Sequence, residues 1–564
     1  MSTKRKLPIP DAQQAFKSVK ISATSSPHNS DEAGPELPPA TNTDLDPQSP
    51  ISEDEEGDRF FSSGIDTTTI SALDYIDTHS PPPTVINPVW LKRAIATLSK
   101  KLSLNTSLRA QYPTEPQKFI DSEADLDAEI KTFSILSEHP ELWDEFASGK
   151  GPEVLVGSLA HENADIAISV AEVLGEVLDP EEGGSGARGR VIASLMGCGL
   201  VDLILMNLQR LDEKEEVDRG GVFHLLGVVE GVVSASAGEG GDADAAASQL
   251  GERADLINWL TTRMGKDEAI LSQNKQYAAE VLQIILQTSP AARRIFTNIP
   301  DGVDLLLRQV SVFRDATLPK GSLEVEFAEN LFDSLTCLVG EDEGKKLFLD
   351  AEGVELCLLF LKEKKSSLRG AVLRLLNYAL LSNSTITPTS DGAEAAERTS
   401  RGDGSSSGGR GGSNGTILPP DPRPPVTLLL STRLITFSGL KILFPLLRKP
   451  LPLSQLTHLL SLLATLLSTL PGTSEERIRL LAKFDTAKIT SLLSLKEKLS
   501  GPGEAEEYAV QLIDLILAWL VAEGQERGFI LQRVDKEDIR ESLGIRAEGL
   551  EEERDMIGTL IGFL

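Results

Sequence analysis

The sequence predicts an all-α fold, a stacked helical solenoid, and three observations predict it. First, a short phrase recurs in which a Gly leads an apolar run and a polar-faced helical stretch follows. Its instances are Gly151-Pro-Glu-Val-Leu-Val, Gly199-Leu-Val-Asp-Leu-Ile-Leu, Gly302-Val-Asp-Leu-Leu-Leu, Gly353-Val-Glu-Leu-Cys-Leu-Leu and Gly439-Leu-Lys-Ile-Leu-Phe. The steps from Gly151 to Gly199 and from Gly302 to Gly353 are about 50 residues, near the upper end of helical-repeat periods. Second, 40% of the 564 residues are hydrophobic and only 5% aromatic, with Leu carrying much of the apolar content. That composition suits packed helices better than sheets. Third, the turn into each long helix carries Asn, Asp, Ser or Glu. The first three cap helix starts, and Glu suits the first turn. Solenoids of this kind usually bind partners rather than transform substrates.

Residues 1–84 are rich in Ser, Pro, Asp, Glu and Thr. They cannot bury enough apolar surface to offset ordering entropy, so they are expected to be disordered. Within them Lys4, Arg5 and Lys6, with Lys17 and Lys20 downstream, form a basic cluster that reads as a nuclear localisation signal. The run Ser52-Glu-Asp-Glu-Glu offers a serine to an acid-directed kinase and reads equally well as a solvated acidic tail.

Residues 85–136 read as an N-terminal helical cap. Pro88 takes a first-turn position, and Val89, Leu91, Ile95, Leu98 and Leu102 leave one apolar face. A second helix over Asp121–Leu136 has an acidic first turn, favourable to the helix dipole. Repeats then occupy 137–500. Each unit is read as a short helix, the Gly-led helix, a polar turn and a longer amphipathic helix. The long helices are expected at Asn163–Leu178, Glu215–Val233, Asn274–Gln287, Glu324–Leu338 and Ser367–Leu381. One drifted Gly-led copy falls near Leu256-Ile257, and Leu456–Leu470 reads as a buried helix. Two Gly-rich inserts, at about 235–248 and 382–425, are flexible loops by composition. Solenoids accept them because loop entropy rises slowly with length. Residues 501–564, with the apolar helix Tyr508–Val521, are expected to cap the open end of the array.

The net charge is −30. Such a surface repels nucleic-acid backbones and attracts basic partners, so no direct nucleic-acid contact is expected. No apolar run is long enough to cross a bilayer, and a membrane partner is not expected. Cys198, Cys337 and Cys357 lie far apart in apolar helical stretches, which gives neither a disulfide framework nor a metal site. The six histidines, including His224 within a helix, show no ligand spacing. Gly183-Gly-Ser-Gly-Ala-Arg-Gly lacks the Gly-Lys-Ser/Thr that a phosphate loop needs. No catalytic constellation, metal or cofactor is expected, and the protein reads as a non-enzyme.

What remains is surface. In a right-handed solenoid of three-helix repeats, the third helices line the concave face. Here they carry acids and amides: Glu172 and Glu176, then Glu230, then Glu280, then Glu329, Asn330 and Asp333. Glu329 and Asp333 are four apart and Asn330 and Asp333 three apart, so the last three cluster on one stripe. Asn can hold a peptide backbone through its paired donor and acceptor, and carboxylates hold Lys and Arg by charge-assisted hydrogen bonds. These residues are the candidate groove for a basic peptide.

The chain resembles the beta-catenin-like protein 1 family. The resemblance is carried by Pro113-Thr-Glu-Pro-Gln-Lys-Phe-Ile, Leu159-Ala-His-Glu-Asn-Ala-Asp-Ile-Ala-Ile-Ser-Val, Asn207-Leu-Gln-Arg-Leu-Asp-Glu, Glu329-Asn-Leu-Phe-Asp-Ser-Leu and Leu361-Lys-Glu-Lys-Lys. It implies an armadillo-repeat superhelix in the nucleus. It also implies association with the spliceosome through the NineTeen complex, and recognition of basic localisation-type segments of spliceosomal partners. Trp90, Trp143, Trp259 and Trp519 do not recur at one repeat position, so no Trp–Asn ladder is present and recognition would rest on carboxylates. A nuclear transport adaptor for basic cargo is the alternative, and homo-oligomerisation is left open.

Overall fold

The computed structural model describes residues 85–179, 185–235, 242–314, 318–363, 366–381, 424–499, 501, 503–549 and 553–564. The tail 1–84, with its basic cluster at Lys4, Arg5 and Lys6, lies outside the described residues, as does nearly all of the 382–425 insert.

The described residues form helices and no strand. α1 (Pro88–Gln111) and α2 (Ile120–Lys131) come first. Asn87 starts α1: its side chain accepts from the backbone N–H groups of Val89 and Trp90 at 3.0 and 2.9 Å, with Pro88 at the first position. Seven three-helix units follow. Unit 1 is α3 (Trp143–Ser148), α4 (Gly151–Ser158) and α5 (Ala164–Val177). Unit 2 is α6 (Ser185–Gly197), α7 (Leu200–Arg210) and α8 (Glu216–Ser234). Unit 3 is α9 (Asp242–Gly251), α10 (Ala254–Gly265) and α11 (Gln273–Thr288). Unit 4 is α12 (Pro290–Thr297), α13 (Gly302–Ser311) and α14 (Leu323–Leu338). Unit 5 is α15 (Asp342–Asp350), α16 (Gly353–Lys362) and α17 (Arg369–Leu380). Unit 6 is α18 (Val426–Thr436), α19 (Gly439–Leu446) and α20 (Leu453–Thr469). Unit 7 is α21 (Glu475–Leu481), α22 (Thr486–Leu499) and α23 (Glu504–Ala522). α24 (Arg527–Leu531), α25 (Lys536–Gly549) and α26 (Arg554–Phe563) close the chain.

The third helices stack on one another in chain order, α2 on α5 and then α8, α11, α14, α17, α20 and α23. This inner ladder is the spine of the array. Its core is continuous: Val170, Leu226, Leu282, Leu331, Leu376, Leu463 and Ile516 are buried in one apolar cluster. Ser and Asn cap several ladder helices: Asn163 caps α5, Ser272 caps α11 and Ser322 caps α14.

The recurring Gly now has a physical reason. At Gly353 an added Cβ would lie 2.2 Å from the Phe348 ring, so the first helix of the unit packs its aromatic side chain directly on the backbone of the second. Phe146 crowds Gly151 in the same way, Phe296 approaches Gly302, and Leu434 crowds Gly439. Gly199 differs. It has open space around it and a φ of 81°, and it aligns with the residue before the Gly of other units. There Asp301, Glu352 and Ser438 take the left-handed conformation at φ 56°, 58° and 66°.

A second recurrence escaped the sequence pattern. A cation on the first helix of a unit donates to the carbonyls that end a third helix. Arg188 reaches Leu178, Arg293 reaches Leu286 at 2.8 Å and Arg477 reaches Leu470 at 2.7 Å, each on the preceding unit, while Lys345 reaches Leu381 at the end of its own unit. Those carbonyls have no partner within their own helix, and the negative end of the helix dipole favours the charge.

Two expectations need adjusting. The 235–248 insert was expected to be a loop throughout, but α9 begins at Asp242 and is the first helix of unit 3. The run Asp242-Ala-Asp-Ala-Ala-Ala joins an acidic start to strong helix formers, which outweighs the Gly-rich stretch before it. The ladder also runs past residue 500. α23 packs on α20 as the earlier third helices pack, and α25 and α26 then lie against α23.

Candidate functional site: an acidic ladder face

On each ladder helix the apolar positions face the core and leave an outward strip. Along α5 that strip holds half-buried Glu172 and exposed Glu176. Glu172 lies near Lys131 of α2, whose ammonium is held above its ordinary range first by its bond to Asp127 and further by the charge of Glu172. Glu176 stands exposed one turn further along α5.

Units 2 and 3 build a more specific arrangement. Phe223 on α8 and Tyr277 on α11 meet with ring centroids 4.9 Å apart, and His224 packs edge-on to Phe223 at 6.1 Å. All three are half-buried. The Tyr277 hydroxyl donates to Glu230 Oε2 at 2.5 Å, joining the two helices. Burial, then the Glu230 charge, pushes the Tyr277 hydroxyl far above its ordinary pKa, so it remains a donor. Glu280, one turn after Tyr277, accepts from Gln276 Nε2 at 2.9 Å. The result is an aromatic ledge with a carboxylate at either side. Phe223 and Tyr277 were not among the sequence candidates. The available signal was an aromatic on the same helix as each acid, Phe223 seven residues before Glu230 and Tyr277 three before Glu280.

Unit 4 behaves differently from the sequence expectation. Glu329, Asn330 and Asp333 do share one side of α14, and Glu329 is exposed. Asp333, however, is ion-paired with Arg374 of α17. Burial lowers the Arg374 pKa from its ordinary value, and the Glu329 charge opposes that fall. Asn330 Nδ2 is buried without a hydrogen-bond acceptor among the described residues. Arg374 therefore takes the place a partner's arginine would occupy at Asp333. His458 of α20 sits next to Asn377 and Arg374, and burial first, then the Arg374 charge, brings its pKa down to about 4. The acidic strip ends here.

Beyond α17 the ladder is partly covered, because α25 and α26 pack on α23. Ser461, Thr465 and Ser468 of α20 and Tyr508, Gln511 and Leu515 of α23 face Ile545 and Arg546 of α25 and Met556 of α26 across a cavity of about 430 Å³. Arg546 is buried, pairs with Glu553 at 2.8 Å and lies 5.4 Å from the Tyr508 ring centre. The open, acidic part of the ladder is thus the stretch from α5 to α14.

A stacked ladder of three-helix units defines an armadillo-type repeat protein. The sequence profile of the family described as catenin-beta-like, Arm-motif containing nuclear matches residues 70–393 and 427–536. The chain belongs to that family, whose description is nuclear. It is 35% identical over 451 residues to the beta-catenin-like protein 1 homolog of Schizosaccharomyces pombe, covering 79% of this chain and 71% of that one. It is 29% identical over 463 residues to beta-catenin-like protein 1 of Homo sapiens, covering 79% of this chain and 72% of that one. Among solved structures it is similar to an engineered protein at 14% identity and a TM-score of 0.44, covering 77% of this chain and 94% of that one.

Proposed function

We propose that the protein is a non-enzymatic nuclear scaffold of pre-mRNA splicing. It binds basic, localisation-type segments of spliceosomal proteins of the NineTeen complex along the open ladder face. The observation that carries the reading is the ledge on α8 and α11. A Lys or Arg stem laid across Phe223 and Tyr277 gains apolar and cation–π contact, and its charge falls between Glu230 and Glu280. Glu172 and Glu176 extend the acidic track on one side and Glu329 on the other.

The test is fluorescence anisotropy of the full chain with a labelled Lys/Arg-rich peptide at several salt concentrations. Two neutralised charge contacts, Glu230→Gln with Glu280→Gln, are expected to weaken binding about 30-fold, at roughly 1 kcal/mol per contact. Screening should weaken the wild type steeply as salt rises. Unchanged affinity in the double variant, with an unchanged melting temperature, would refute the ledge. Affinity purification from nuclear extract that recovers no splicing proteins would refute the scaffold.

A further inference from the structure

The charge of this chain is unevenly spread. It totals −30, yet residues 424–499 hold ten Lys and Arg against four Asp and Glu. Units 6 and 7 gather five of those cations. α19 exposes Lys441 and Pro445 one turn apart, and the turn that follows it exposes Arg448 and Lys449. Its other side buries Leu443 and Phe444. Phe444 meets Phe484 edge-on with centroids 4.9 Å apart, which sets the turn between α21 and α22 beside α19. That turn brings Lys483 and Lys488 into the group, and Lys488 Nζ lies 5.7 Å from the Phe444 ring centre.

The segments 439–449 and 482–492 together contain one acid, Asp485. It is already bonded to Lys488, and its carboxyl is held below the ordinary range by that bond first, with Arg448 contributing at longer range. Lys441, Arg448, Lys449 and Lys483 have no salt-bridge partner among the described residues. Like charges held this close repel one another, so an anionic partner that neutralises them is bound favourably.

The geometry points to this surface as a docking site for an acidic protein segment, a short run of Asp and Glu on a partner. Charge complementarity selects the anion, and the extent of the patch selects its kind. Lys441 on α19 and Arg448 in the turn after it are seven residues apart, roughly 10 Å at the rise of a helix, which a run of a few carboxylates matches. A nucleic-acid strand would continue past the patch onto a chain whose remaining surface carries the acid surplus, and its phosphates would be repelled there. The site is separate from the ladder-face reading and stands or falls without it.

The probe is a fluorescein-labelled octapeptide of alternating Asp and Glu, titrated with the full chain at low salt. A 12-nucleotide oligouridine is run alongside. Binding of the octapeptide is expected to fall at least tenfold in the Lys441→Glu, Arg448→Glu, Lys449→Glu triple variant. Binding of a basic peptide should be unchanged in that variant. An alanine version of the same triple, with its melting temperature measured, separates lost charge from lost fold. Equal octapeptide binding by wild type and both triples overturns the proposal. So does an oligouridine that binds and is lost in the triples while the octapeptide fails to bind.

Discussion

The ladder helices α8 and α20 are built on one plan and present opposite surfaces. Both bury apolar side chains toward the same continuous core, Leu and Val from α8 and Leu and Ala from α20. Outward, α8 carries half-buried Phe223, His224 and Glu230, whereas α20 lines with Ser461, Thr465 and Ser468 a cavity shared with α25 and α26. The second helices repeat the contrast, since α13 pairs Asp304 with Arg308, whereas Lys441 on α19 and Arg448 just after it are exposed cations. Positions that hold the fold are common to both halves, and positions that choose a partner are not. A repeat array can therefore change its partner chemistry along its length without changing its packing.

The two halves meet where Lys345 of α15 donates to the carbonyl of Leu381, the last described residue before the long insert. The cations at Leu178, Leu286 and Leu470 are arginines reaching back to the preceding unit, whereas this lysine reaches the end of its own unit's third helix. Burial brings the Lys345 pKa down from 10.5 to about 8. Below pH 8 both folded and unfolded states carry the proton, and folding bears the full cost of burying the charge. Between about 8 and 10.5 the unfolded state holds more protons than the folded one, so stability rises with pH. Across that window the rise amounts to about 3 kcal/mol. Denaturant titrations at pH 7.5, 9 and 10.5 should show it in the wild type and not in Lys345→Met. Parallel curves for the two proteins would mean that Lys345 is not held in a buried, desolvated site.

That junction also marks the limit of what the sequence disclosed. The helix-rich repeat, the Asn and Ser caps and the drifted copy at Leu256-Ile257 were legible because each is written within a few residues. Gly and cap positions report local backbone demands, and apolar spacing reports one helix at a time. The Arg374–Asp333 pair spans 41 residues and the Tyr277–Glu230 bond spans 47, so neither leaves a local trace. The start of α9 was hidden for a different reason, because Gly-rich composition in 236–241 was averaged with the helix-forming alanines that follow it. Lys4, Arg5 and Lys6 remain an expectation from sequence, since they lie outside the described residues.

Arg374 offers a sharper test of the boundary between the open acidic track and the rest. It occupies Asp333 and lies near Glu329, so removing it should extend the track by one unit. Arg374→Ala is expected to tighten binding of a basic peptide three- to tenfold, about 1 kcal/mol, while most single substitutions in a binding face weaken it. The gain should disappear in Arg374→Ala combined with Asp333→Asn. A peptide affinity that does not move in Arg374→Ala, with the Glu230 and Glu280 dependence intact, would place the end of the track at α11.

The smallest expected effect tests what both halves share. Asp301, Glu352 and Ser438 begin the second helices of units 4, 5 and 6 in the left-handed conformation, where a Cβ costs roughly 1 kcal/mol. Unit 2 meets the same demand with Gly199. Replacing Asp301 or Ser438 by Gly relieves the Cβ but raises the entropy of the unfolded chain, so each should gain about 0.5 kcal/mol or less. Gly199→Ala should lose about 1 kcal/mol, because it adds the Cβ with open space but the wrong φ. The two Gly variants lie on either side of the insert, one beside acidic ladder helices and one beside the basic surface. If their gains agree, the turn is a property of the repeat and indifferent to the charge around it. If Asp301→Gly loses stability while Ser438→Gly gains, the Asp301 carboxylate contributes at the start of α13, where the helix dipole favours a negative charge. The surface chemistry and the spine would then be coupled at that turn, and the separation drawn between the two halves would hold only for the packed residues.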